Sequence, residues 1–215
     1  MTAKLWCFGE SGNSYRVALM LTLTGTRWQP VFVDFFNGEA RSPAFLALNP
    51  MGEVPVLDLD GRILTQSGVM LLHLAQRTGR FGGEDASEAD EILRWLFWDN
   101  HKFSGQIGTT RFLMNFLAPD KRPQEVIGFQ QRRLRAAYQV LNDHLAARDW
   151  VVGEGPTIAD FSLCSYLYYP EPFGFDRSEW PGIDRWLSRI AALPGWGHPY
   201  DLMPGRPSDR QTGRA

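Results

Sequence analysis

Cysteine is scarce in this chain. Cys7 and Cys164 are the two cysteines among 215 residues. They lie far apart, with no Cys-x-x-Cys pair and no cysteine and histidine at zinc spacing, so neither a disulfide framework nor a metal site is predicted. That usage fits a reducing cytoplasm. Long apolar runs are missing too: nothing approaches the roughly 18 residues of a membrane span, and the opening "MTAKLWCF" lacks the basic region and apolar stretch of a targeting signal. A cytoplasmic protein with no membrane partner is expected. Nor is there an excess of one charge. The formal net charge is −2, and Lys and Arg are scattered rather than run together, which leaves no footprint for nucleic acid. What remains is a globular composition, 44% hydrophobic and 13% aromatic, of one large or two small domains built for small-molecule chemistry.

The pattern along the chain separates into two halves. Lys4 to Phe8 and Gln29 to Phe36 ("QPVFVDFF") read as strands, and Ser14 to Thr24 between them reads as a helix stopped by Gly25. A strand, helix and strand in that order pair the strands in parallel. "SPAFLALNP" gives a short helix closed by Asn49-Pro50. A strand ending at Asp60-Gly61, a hairpin return through Ile63 and Leu64, and a helix from Gln66 to Thr78 complete a β-α-β-α-β-β-α order. "RFGGEDASEAD" is small and acidic, and after it no strand pattern appears, so the domain boundary is expected there. Leu134, Ala137, Tyr138, Leu141 and Leu145 form one helical stripe; Ile183, Trp186, Leu187 and Ile190 form another. The expected divisions are residues 1–80, an all-helical 88–203 whose first long helices cover Glu88 to Leu117 and Pro123 to Arg148, and a loose polar tail over 204–215.

Three helix starts stand out. In "CFGESGNSYRVALML", residues 7 to 21, the Ser-Gly-Asn-Ser hinge is either an ordinary helix cap or the mouth of an anion site. Gln66-Ser67 opens a helix whose free N–H groups favour an anion, and Ser67 alone is equally readable as a plain N-cap. Thr157-x-x-Asp160 is a capping box to which no chemistry is assigned. Pro55, awkward inside a strand because it cannot donate to a ladder, implies an edge position or an X-Pro bond used deliberately. Trp95, Phe97, Trp98, His101, Phe103 and Phe112 crowd one helical stretch that cannot aim all of them into one core. His73, His144 and His198 have no triad or ligand partners and are read as structural. Cys7 is read as a small buried apolar residue.

"NPMGEVPVL", residues 49 to 57, "LTQSGVMLLHLA", residues 64 to 75, and "GEGPTIADFSL", residues 153 to 163, together resemble the glutathione S-transferase family, its bacterial serine-type, zeta-like or related classes in particular. The resemblance spans residues 3 to 200. It implies a thioredoxin-like domain that holds glutathione and an all-α domain that supplies most of an electrophile pocket. It also implies a cis bond before Pro55, with the Val54 backbone pairing with the cysteinyl unit of glutathione. Gln66 and Ser67 would hold the γ-glutamyl carboxylate. "SGNSYRV" puts Ser11 in the thiolate-stabilising position with Asn13 assisting, while Gly9, Glu10, Trp98, His101 and Phe112 would line the substrate pocket. Two residues depart from the family pattern: Glu10 sets a carboxylate beside the proposed thiolate, and Glu53 stands where relatives carry Lys or Gln near the glycyl carboxylate, leaving Arg41 as its cationic partner. The cysteine of glutaredoxin-like and omega-like members is absent at positions 11 to 14. The implied activity is conjugation of glutathione to small hydrophobic electrophiles, a detoxification chemistry, by a homodimer that pairs the first domain of one chain with the helices of the other. A glutathione-dependent disulfide-bond reductase and a non-catalytic ligand- or protein-binding member stand as alternatives.

Overall fold

The computed structural model describes residues 2–207, which divide into two compact units. The first comprises residues up to 80 together with those from 194 onward, and the second comprises Phe81–Leu193. Residues 208–215, part of the expected loose tail, lie outside the described residues.

In the first unit the elements run β1 (Ala3–Cys7), α1 (Gly12–Leu23), β2 (Trp28–Phe32), α2 (Pro43–Leu48), β3 (Val56–Leu59), β4 (Arg62–Thr65) and α3 (Ser67–Thr78). This is the thioredoxin-like order read from the sequence. The strands lie in the order β2-β1-β3-β4, with β1 parallel to β2 and antiparallel to β3. Strand alternation sorts the two faces. Leu5 opposite Leu57 is wholly buried, while Trp6 and its partner Val56 join Val33, Ala40 and Phe45 in a core against α2. The β3-β4 hairpin closes through Asp60 and Gly61, both in the left-handed region, and the Asp58 carboxylate accepts from the Gly61 N–H at 2.8 Å. Pro30 sits in β2, an edge strand, where its missing donor is tolerated.

The second expected strand reaches Phe36, but β2 ends at Phe32. Beyond it the chain turns, because the Phe35 N–H bonds back to the Val33 carbonyl and the Asp34 N–H to the Glu39 carboxylate. Phe35 and Phe36 therefore join Phe8 in an aromatic cluster, Phe8 stacking on Phe35 at 4.8 Å and meeting Phe36 edge-on at 5.6 Å. The C-terminal end differs as well. Residues 194–207 belong to the first unit, with a short helix α9 (Pro199–Leu202) packed on α1, and Pro204 accepts a hydrogen bond from Gly9.

The second unit holds only helices among the described residues: α4 (Ala86–Lys102), α5 (Ser104–Asn115), α6 (Gln124–His144), α7 (Ile158–Leu163) and α8 (Pro181–Ala191). Both apolar stripes read from the sequence are buried. The expected single helix from Glu88 to Leu117 is broken at Phe103, whose ψ of −86° is not helical. Buried Asp99 causes the break: its carboxylate accepts from the Ser104 amide at 3.2 Å and the Ser104 hydroxyl at 2.5 Å, capping α5, and also from Ser162 at 2.6 Å. The helix expected to reach Arg148 stops at His144 and tightens into a 3-10 turn, Leu145–Ala147.

Candidate active site

Strand direction gathers one end of the first unit. Trp6 pairs with Val56 and Val56 with Thr65, so the chain leaving β1, the chain entering β3 and the chain leaving β4 emerge together. Those three stretches carry Ser11, Val54-Pro55 and Gln66-Ser67.

Ser11 is the N-cap of α1 and only 6% exposed. Its Oγ accepts from the Ser14 N–H at 3.1 Å and from the Ser14 hydroxyl at 3.0 Å. A serine hydroxyl has two acceptor positions and one hydrogen. With both positions used, that hydrogen is available for donation, beside the positive end of a 12-residue helix. Ser14 was not among the expected candidates, although a serine three places after an N-cap serine is the signal for this contact. Asn13, at the second helical position, is partly exposed.

Gly9 and Glu10, expected to line the substrate pocket, are tied to the C-terminal segment. The Gly9 N–H donates to the Pro204 carbonyl, and the Glu10 Oε2, in a residue only 4% exposed, accepts from the Tyr200 hydroxyl at 2.9 Å. Cys7 is fully buried, and burial pushes its thiol up to about 12.

At α3 the plain N-cap reading of Ser67 is corrected, because Ser67 is the first helical residue and Gln66 occupies the cap position with no side-chain hydrogen bond to the helix. Gln66 holds φ 66° and ψ 112°, an uncommon conformation for a non-glycine residue. Its Nε2 lies 3.1 Å from the Met51 Sδ and 3.4 Å from the Glu53 Oε2, and Arg41 Nη1 donates to the Met51 carbonyl at 3.3 Å. Buried Asn49 shapes this turn, donating to the Glu53 carbonyl at 2.8 Å and accepting from the Met51 N–H at 3.1 Å. The Val54-Pro55 bond is cis. Arg41, Glu53, Val54, Pro55, Gln66 and Ser67 thus share one neighbourhood, in which Glu53 is turned toward the start of α3.

In the second unit Trp98 sits between Trp95 at 5.3 Å and Phe103 at 5.5 Å, while Phe112 on α5 is 41% exposed and meets Phe116 at 6.1 Å. His101 is exposed near the end of α4, its carbonyl accepting from Gln106. Trp98 and His101 lie three residues apart on α4, and Phe112 lies on α5. Arg111, 1% exposed, pairs with Glu171 at 2.9 Å and lies 3.9 Å from the Tyr169 ring centre, an arrangement the sequence reading missed.

The glutathione S-transferase N-terminal domain model matches residues 1–76, and the C-terminal domain model matches residues 106–194. A maleylacetoacetate isomerase of Pseudomonas aeruginosa is 31% identical over 91% of this chain and 95% of its own. A disulfide-bond oxidoreductase of Escherichia coli, YfcG, is 28% identical over 88% of this chain and 91% of its own. A crystal structure of a possible glutathione S-transferase from Rhodopseudomonas palustris superposes with a TM-score of 0.85 at 34% identity, covering 93% of this chain and 98% of that one. The chain belongs to the glutathione S-transferase family. Among the described residues no helix is long and apolar enough to cross a membrane.

Proposed function

We propose that the protein conjugates glutathione to small hydrophobic electrophiles, with Ser11 stabilising the thiolate. The observation that carries the reading is the Ser11 hydroxyl, filled as an acceptor by Ser14 and left with its hydrogen to give at the start of α1. A cysteinyl thiol has a pKa of about 8.5, so a few per cent is ionised at neutral pH, and each unit of depression is worth about 1.4 kcal/mol. A hydroxyl donor to a charged acceptor supplies about 1.5 to 3 kcal/mol, and a helix N-terminus adds roughly 0.3 to 1. Together Ser11 and α1 lower the bound thiol by about one to three units. Ser14 strengthens the donor by polarising it, and Asn13 assists from the first turn.

The remaining residues position the peptide. The uncapped start of α3, with Ser67 and Gln66, takes the γ-glutamyl carboxylate; the Val54 backbone pairs with the cysteinyl unit as a short added strand; Arg41 faces the glycyl carboxylate. The Phe8, Phe35 and Phe36 rings offer an aromatic surface to the electrophile. The enzyme works in the cytoplasm as a homodimer, which sedimentation at a single monomer mass would contradict.

The likeness to a disulfide-bond oxidoreductase favours one second reading, in which the glutathione thiolate attacks a disulfide and Asn13 shares the activating role. A paired assay with glutathione separates the two: turnover of a chloronitroaromatic supports conjugation, and turnover of hydroxyethyl disulfide alone supports reduction. Glutathione binding without either activity would overturn both in favour of a binding protein.

A further inference from the structure

The segment that follows the helical unit returns to the loop carrying Ser11 and is tied to it on both sides. Before Ser11, the Gly9 N–H donates to the Pro204 carbonyl, and the Tyr200 hydroxyl donates to the Glu10 Oε2 at 2.9 Å. After it, the hydroxyl of fully buried Tyr15 donates to the Gly197 carbonyl at 3.0 Å. The approach is close enough to require glycine. A Cβ on Gly9 would stand 2.9 Å from the Gly205 carbonyl oxygen, and one on Gly205, at φ 84°, would stand 2.6 Å from the Phe32 ring.

These ties bear on the one feature of the loop that opposes its proposed chemistry. Glu10 is the residue next to Ser11, and a carboxylate facing a sulfur anion disfavours it. Here the Glu10 side chain is buried, with an oxygen held by the C-terminal segment. We propose that Tyr200 is a positioning residue for Ser11: its hydroxyl keeps the Glu10 carboxylate in the C-terminal segment, so that the loop presents a hydroxyl donor and not a negative charge to the sulfur. The inference rests on the reading of Ser11 as thiolate stabiliser. It gives residues 194–207 a part in the active site through Glu10.

The test measures the ultraviolet thiolate absorbance of bound glutathione at neutral pH, kcat and KM for glutathione, and thermal unfolding as a check on folding. Tyr200→Phe keeps the ring and removes the donor. It should cut the thiolate fraction several-fold and kcat about ten-fold, with KM changed by less than about two-fold. Adding Glu10→Gln to Tyr200→Phe should restore both signals to within about three-fold of the parent protein, because the side chain next to Ser11 then carries no charge. Gly9→Ala, which displaces the segment without altering any charge, should lower kcat in a folded protein in the same way. An unchanged thiolate fraction in Tyr200→Phe, a rise in KM that accounts for the whole loss, or no rescue by Glu10→Gln would each overturn the inference. The parent protein decides the reading beneath it: no glutathione binding by calorimetry, or no thiolate signal on binding, would overturn the functional proposal and this inference with it.

Discussion

The starts of α3 and α7 face the same physical problem and resolve it in opposite ways. Each has free N–H groups that need acceptors. At α7 the protein supplies them: Thr157 Oγ1 accepts from the Ala159 N–H at 3.3 Å, and the Asp160 carboxylate accepts from the Thr157 N–H at 2.7 Å, the Val151 N–H at 2.9 Å and the Trp186 Nε1 at 2.8 Å. That terminus is closed and wholly buried, and its donors serve packing. At α3 no side chain caps the helix, Ser67 is partly exposed, and Gln66 is held in an uncommon conformation. The start of α1 stands between them, capped by Ser11, whose hydroxyl accepts twice from Ser14 and still has a hydrogen to donate. A capping sequence therefore does not distinguish a stabilising terminus from a binding one. The accounting of its donors does.

Substitutions can break this contrast. Asp160→Ala, the largest expected effect, strands four buried donors in the helical unit, the Val151 and Thr157 amides, the Thr157 hydroxyl and the Trp186 indole, and should cost about 3 kcal/mol or more in stability, read as a lowered denaturant midpoint. Proteins still folded should keep their KM for glutathione, and a selective loss of affinity would mean that α7 belongs to the site. Ser11→Ala should lower kcat at neutral pH by ten-fold or more, raise the kinetic pKa of conjugation and leave glutathione affinity nearly unchanged, as follows from losing about 1.5 to 3 kcal/mol of charge-assisted hydrogen bonding. If rate and pKa survive in Ser11→Ala but fall in Asn13→Ala, the activating role passes to Asn13.

Gln66→Ala and Ser67→Ala sharpen the comparison from the other side. Each should raise the KM for glutathione by the equivalent of about 1 to 3 kcal/mol with little change in thermal stability, because neither side chain caps α3. Calorimetry on the double variant tests this directly, and unaltered binding would place the peptide elsewhere. The smallest effect concerns His144, which contacts the Val151 carbonyl at 2.8 Å and whose burial holds its pKa below the usual histidine range. Because protonation is disfavoured in the folded state, its contribution is present above the ordinary histidine pKa and is lost as pH falls through the lowered value. Unfolding midpoints should decline over that acid window, and His144→Gln should flatten the decline.

Local sequence was sufficient wherever the relevant partners are a few residues apart. The strand alternation at Leu5 and Leu57, the Asp60-Gly61 turn, the capping box at Thr157 and the order of elements in the first unit depend on side-chain period and turn chemistry, which are written consecutively. The same locality marked Ser11, Pro55 and Gln66-Ser67 one by one, and it was the resemblance to the glutathione S-transferase family that joined them as a constellation. Other features were decided by contacts no window contains. Asp99 breaks one helix into two because Ser104 and Ser162 come to its carboxylate. Phe35 and Phe36 leave the strand because Glu39 turns the chain beneath them. Tyr200 reaches Glu10 across 190 residues. The sequence by itself determined which helix starts could receive an anion. Only the tertiary structure decided which donors were already taken, because a hydrogen bond is satisfied by whatever acceptor lies within reach, and reach in the folded chain is set by packing rather than by position along it.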